Sequence, residues 1–233
     1  DFLCHACTGV GHCQNNILFG LVVGPLGVVS IYFIIIQPIA IGTYCTICLM
    51  AALAMLVMIP FSLDEIVAMI QFMVWNTRRG RPFWRAFFRG DALPGGLTGG
   101  EMSFDARPTA TFRQSARGVT VPWTLGLSAG IGAFLMLSRA IFGNEAALAN
   151  SDHLVGALVL TTAVIAWAEV ARPLRFLNIL FGLWLIVAPL FLDGGTIAGS
   201  LLGMASGLVL IPLSLPRGRR SKEHYGSWDR YIV

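Results

Sequence analysis

Residues 17–41 read ILFGLVVGPLGVVSIYFIIIQPIAI. Gln37 is the one strongly polar side chain in this run. About 20 apolar residues, each rising about 1.5 Å, cross the hydrocarbon layer of a bilayer as a helix. The stretch therefore predicts a membrane span. Pro25 and Pro38 fit, because membrane helices tolerate proline where neighbours satisfy the freed backbone groups. The composition agrees: 56% of the 233 residues are hydrophobic and only 12% are charged. A soluble domain is about 25% charged. An ordinary soluble enzyme is thereby excluded. The net charge of +4 comes from arginines clustered between apolar runs. Such clusters read as topology determinants, not as a nucleic-acid surface.

The run ends at a turn and gives way to Tyr44-Cys45-Thr46-Ile47-Cys48-Leu49. On a helix Cys45 and Cys48 share a face. Two thiols so spaced close and open a disulfide with little backbone movement. At a helix N-terminus the dipole favours the thiolate, the species that reacts. Zinc ligation and a structural or inert pair use the same spacing, so Cys-x-x-Cys alone leaves these readings open. Gln37 is placed to touch a ligand near the pair, or to bond a neighbouring helix.

Before the run, residues 1–16 hold Cys4, His5, Cys7, His12 and Cys13. Their spacing fits no standard zinc module, and no histidine follows the Cys-x-x-Cys as haem attachment requires. A zinc site is the minor reading of this segment; the favoured one is a frayed end, or the tail of a helix whose beginning lies upstream. The chain opens on Asp, not Met, so we expect a processed chain or a fragment. Five cysteines is an odd number, which leaves at least one without an intramolecular disulfide partner.

After the pair, a second span runs from Tyr44 to Pro60. Ser62 and Glu65 match a capping box, which predicts a new helix from Leu63 to about Trp75, lying at the membrane interface with Trp75 as anchor. Residues 77–120 are arginine-rich and contain Pro94-Gly95-Gly96-Leu97-Thr98-Gly99-Gly100. They predict a mostly irregular linker. Within it, Phe83, Trp84, Phe87 and Phe88 alternate with arginines, a composition suited to an anionic membrane surface. Four further spans are expected at about 121–141, 153–170, 176–192 and 196–215. Gly126, Gly130, Gly199, Gly203 and Gly207 are spaced for close helix packing. Glu169 is expected to pair with Arg172 at the membrane edge.

The fold class that follows is all-α: a polytopic membrane protein of about six transmembrane helices in two bundles. The segments are 1–16, a half-bundle at 17–76, a basic linker at 77–120, a four-helix membrane module at 121–215 and a basic tail at 216–233. Putting the linker in the cytoplasm also puts Arg172, Arg175, Arg217, Arg219, Arg220, Lys222 and Arg230 there. Glu145, Asp152 and Asp193 then fall in outer loops, with Arg139. This asymmetry orients the chain, and it sets Cys45 and Cys48 at the outer, oxidising face. Cys4, Cys7 and Cys13 fall at the inner face.

Two resemblances add to this reading. The run Phe19-Gly20-Leu21-Val22-Val23-Gly24-Pro25-Leu26-Gly27, then Gln37-Pro38, then Tyr44 to Leu49, resembles the third and fourth helices of the vitamin K epoxide reductase family. It is most similar to bacterial members fused to a second membrane module. The resemblance places the first two helices upstream of Asp1. Residues 178–190, Asn178 to Leu190, and Tyr225 to Tyr231 resemble the SPW-repeat membrane module, with Ala188-Pro189-Leu190 in place of Ser-Pro-Trp.

The first resemblance implies a thiol–quinone oxidoreductase of the bacterial inner membrane. It makes Cys48 the thiol facing the quinone. Cys45 then exchanges disulfides with a thioredoxin-like extracytoplasmic protein. It places Gln37, Tyr44 and Ala52 at the quinone. The quinone, menaquinone or ubiquinone, is a substrate, and no metal is needed. The partners are then quinone, that protein and the lipid bilayer, with no nucleic acid. Two departures stand out. Ala52 occupies the position where vertebrate members carry a tyrosine, and Cys45 and Cys48 are the only outward cysteines. The rival is a non-catalytic membrane scaffold with a structural or inert pair. Spacing alone favours that rival; the resemblance reverses the order.

Overall fold

The protein is described by a computed structural model covering residues 12–43, 45–89 and 118–219. α1 spans His12–Ile36 and continues as a π-turn, Gln37–Ile41. Gly42 ends it in the left-handed conformation (φ 74°), its N–H donating to the Gln37 carbonyl, as glycine does when it terminates a helix. α2 spans Thr46–Arg78 and runs back against α1. Gly20 and Gly27 make that contact close. A Cβ at Gly20 would stand 2.5 Å from the Ile66 side chain, and one at Gly27 would stand 3.1 Å from Ile59.

α2 is unbroken, so no second helix starts at Leu63. The Ser62 hydroxyl donates to the Met58 carbonyl, 3.0 Å away, within the same helix. Serine does this in a helix interior when no chain break offers it free amides to cap. The helix ends three residues past Trp75, and the Arg79 guanidinium lies 3.9 Å over the Trp75 ring. The linker begins with a short helix, α3, Phe83–Arg89. Its rings stack on one another, Phe83 with Phe87 and Trp84 with Phe88. The glycine-rich stretch lies outside the described residues.

The second half contains α4 (Trp123–Met136), α5 (Ser138–Phe142), α6 (Ala146–Ile165), a 3₁₀ segment (Glu169–Phe176), α7 (Leu177–Phe191) and α8 (Ile197–Leu213). Among the described residues, four segments are long and apolar enough to cross a membrane: Leu18–Ile41, Thr46–Leu63, Ala146–Ile165 and Glu169–Phe191. α4 and α8 are apolar but shorter, with 14 and 17 residues. At about 1.5 Å per residue they reach about 21 and 26 Å. The all-α, multi-pass membrane fold is thus observed. The lipid-facing surfaces are apolar, with Leu21, Val28, Leu180, Leu190 and Leu201 all exposed. A helix in lipid has no reason to hide such side chains.

α6 begins seven residues before the expected start, at Ala146. Asp152 therefore lies inside a helix and is buried, not in an outer loop. Its carboxylate accepts from Asn144 at 3.0 Å and from Ser138 at 3.4 Å. Asn144 in turn accepts from the Thr196 N–H and hydroxyl. Thr196 caps α8 by accepting from the Gly199 N–H. This buried network ties the α4–α6 corner to the start of α8, which is how a carboxylate is accommodated at such a depth.

Of the glycines the spacing suggested, Gly207 makes a close helix crossing, together with Gly132, Gly156 and Gly182, which the spacing did not name. Gly126 and Gly130 face open space. α4 meets α6 at Gly132 and Gly156, where a Cβ on either would come within 2.7 Å of the other's carbonyl oxygen. α7 meets α8 at Gly182 and Gly207, where the corresponding approaches are 2.9 and 2.4 Å. Of the stripe on α8, Gly199 and Gly207 pack closely, while Gly203 only reaches the Asp152 carboxylate at 4.0 Å.

The two halves meet in a shared core. Leu56 of α2 is buried in one cluster with Ala129 of α4 and with Ala163 and Val164 of α6. A second cluster, within the second half alone, joins Leu135, Val155, Val159, Leu185 and Leu210. α6 is the central helix, touching α1, α2, α4 and α7.

Candidate functional site

The chain leaves the π-turn at Gly42 and enters α2 at Cys45. Cys45 is the N-cap of α2: its backbone is extended, and its sulfur accepts from the Cys48 N–H at 3.4 Å. A helix start leaves four amides without helical partners, and a thiol here takes the place that Ser or Asp usually fills. Gln37 sets this turn. It is 6% exposed, and its side-chain oxygen accepts from the Cys45 N–H at 3.3 Å. Sequence reading placed Gln37 near the pair, and the structure brings all three together.

Both thiols are free and exposed. Hydrogen bonds from the Cys48 side chain and then from the Cys48 backbone N–H hold the Cys45 thiol below its ordinary pKa. The physical cause is that both donors favour the charged sulfur. Cys45 is thus the better nucleophile at neutral pH by thiolate fraction. Ile47 and Met50, flanking Cys48, are strongly exposed.

Ala52 is four residues past Cys48, one turn deeper on a shared face. It is buried and lines a crevice with Ile31, Ile34, Leu56, Met136 and Ala157. That crevice measures about 10 Å³. A cavity that takes up benzene is about 150 Å³. No quinone ring fits beside Ala52 in this arrangement. Tyr44 lies outside the described residues, as do Cys4 and Cys7; Cys13 falls in the first turn of α1.

At the opposite end, Glu169 and Arg172 are both buried in the 3₁₀ segment. Thr120 links them. Its hydroxyl donates to Glu169 at 3.1 Å and accepts from Arg172. Arg172 also donates to the Arg217 and Arg219 carbonyls, at 3.2 and 2.9 Å. Residues 118–120 pair with 167–169 by backbone bonds, Thr120 N–H to Trp167 and Glu169 N–H to Gly118. The start of the second half, the 3₁₀ segment and the chain after α8 thus meet at one end. The Cys45 turn and the Asp152 network lie at the other.

This arrangement of four apolar helices, paired across Gly132–Gly156 and Gly182–Gly207, coincides with one known family. Residues 122–216 match the SPW repeat domain. The match covers α4 to α8 and leaves out the cysteine-bearing hairpin. The matched region begins at Pro122, the N-cap position of α4, and ends just past Ser214, the C-cap of α8. No curated protein matches the chain. No solved structure matches it either.

Proposed function

We propose that this multi-pass membrane protein is a thiol–quinone oxidoreductase of a bacterial inner membrane, related through residues 17–60 to the vitamin K epoxide reductase family. The observation that carries this reading is the paired, free Cys45 and Cys48 at the head of a membrane helix, with Cys45 held toward the thiolate. In the reaction, the two thiols give up two electrons and two protons to one quinone. A Cys45–Cys48 disulfide and a quinol result. A thiolate on a thioredoxin-like protein outside the cytoplasm then attacks Cys45. Its second thiol completes the exchange, so that protein leaves oxidised and the pair returns to dithiol. Because the Ala52 crevice is too small, the quinone in this reading lies against the exposed apolar side of Cys48, beside Ile47 and Met50. The SPW repeat domain buttresses the hairpin through Leu56.

The second reading, a non-catalytic scaffold, is favoured by the small size of that crevice. One assay separates the two. Quinone reduction is followed in membranes with dithiothreitol as donor, using the full-length protein and its Cys45→Ala and Cys48→Ala variants. The oxidoreductase predicts thiol-dependent quinol formation that Cys48→Ala abolishes. Absence of such activity in wild type across several quinones rules the proposal out and leaves the scaffold.

A further inference from the structure

Arg175 has a burial that its neighbours do not explain. It is 1% exposed, and arginine stays charged in proteins. Its Nε and Nη1 are buried and have no hydrogen-bond partner among the described residues. The guanidinium face is covered by the Phe176 ring, 4.6 Å from the ring centre. That contact leaves the in-plane N–H donors unused, because a ring offers only its face to a cation. Arg172 and Arg217 lie near Arg175 and carry the same sign of charge. Arg172 directs its terminal nitrogens to Thr120 and to the carbonyls of Arg217 and Arg219. Glu169, the carboxylate of the same segment, accepts from Thr120. Three arginines therefore gather at one end of the bundle, and Arg175 has donors to spare.

A buried donor without an acceptor costs about 1–3 kcal/mol, and more when charged. An anion supplying oxygen acceptors would remove that cost and offset the repulsion. We infer that Arg175, with Arg172 and Arg217, forms a binding site for a phosphate-type oxyanion at the arginine-rich end of the SPW repeat domain. Guanidinium donors suit the oxygens of phosphate. At the level where positive residues flank membrane helices, such oxygens belong to anionic lipid headgroups or to soluble phosphate.

The test uses the whole protein in detergent with phosphatidylcholine, then with phosphatidylglycerol or inorganic phosphate added. Thermal unfolding is compared for wild type, Arg175→Gln, and Arg139→Gln as a control from the opposite end. The site predicts that phosphatidylglycerol raises the midpoint of wild type and of Arg139→Gln by several degrees, and that Arg175→Gln loses most of that gain. An equal gain from inorganic phosphate identifies a soluble anion; a gain from the lipid alone identifies a headgroup. Equal responses of wild type and Arg175→Gln to both additives overturn the site. Should Arg175→Gln fail to fold, hydrogen exchange on wild type decides. Phosphatidylglycerol or phosphate should slow exchange across residues 169–176, and unchanged exchange with both overturns the site.

Discussion

His153 Nε2 lies 3.0 Å from the carbonyl oxygen of Ile34, across the boundary between the two halves. Four residues on from Ile34 is Pro38, which has no N–H to close the helical bond to that carbonyl. His153 occupies the vacant place. Its Nδ1 lies 3.2 Å from the Met136 carbonyl, at the break between α4 and α5. One imidazole thus reaches a carbonyl of the hairpin and one at the break between α4 and α5. A carbonyl only accepts, so His153 donates through whichever ring nitrogen carries hydrogen.

Replacing His153 by Leu should therefore weaken the contact between hairpin and SPW repeat domain by about 1–3 kcal/mol, the cost of an orphaned buried acceptor. Denaturant unfolding in micelles measures this. Unchanged unfolding would mean that the apolar contacts of Leu56 hold the halves together unaided.

The pH dependence of Cys45 distinguishes the side chain of Cys48 from its backbone. With the Cys45 pKa lowered, its alkylation should rise with pH through a midpoint below that of an ordinary cysteine, because the thiolate is the reacting form. Cys48→Ala removes the side-chain donor and keeps the amide, so the midpoint should move up. Cys48→Ser keeps a donor and should leave the midpoint low. Mass spectrometry of iodoacetamide-labelled protein reads this directly. Identical midpoints in Ala and Ser variants would assign the shift to the helix start alone.

The glycine crossings make opposite predictions for residues of one type. Gly132→Val would press a side chain onto the α6 backbone at Leu160 and Gly156, and should cost about 1–3 kcal/mol or more. Gly207→Val should do the same against Gly182. Gly126→Ala faces open space and should change stability by no more than about 0.5 kcal/mol. Unfolding midpoints of the three variants give the comparison. A harmful Gly126→Ala would place an unseen neighbour on that face.

Orientation is tested by labelling. After mild reduction, a membrane-impermeant thiol reagent applied to spheroplasts should label Cys45. Cys4, Cys7 and Cys13 should stay unlabelled until the membrane is opened. The arginines of the 3₁₀ segment and of residues 217–219 sit at the end opposite Cys45, as the asymmetry in loop charge requires. Labelling of the N-terminal cysteines from outside would reverse the orientation.

Membrane insertion, the helical class and the place of the Cys45 turn were set by local sequence. Apolar runs must become helices in lipid, because a bilayer offers no partner for backbone N–H and C=O. Thr196 as a cap and Gly42 as a stop were likewise fixed by local chemistry. The tertiary structure decided which helices touch. Ser62 and Glu65 spell a helix start, yet α2 runs through them, since its apolar face continues to pack on α1 and α6 and no break exposes amides to cap. Asp152 looked like a loop residue because it precedes the apolar run from His153; Ser138 and Asn144 offset the cost of its carboxylate in a helix, and Thr196, distant in sequence, holds Asn144. Small-residue spacing named Gly126 and Gly130, but helix rotation turned Gly132 inward, and rotation is set by partners. Ala52 lies one turn below Cys48 by spacing alone; that its neighbours leave about 10 Å³ there depends on Ile31, Met136 and Ala157 from three other helices.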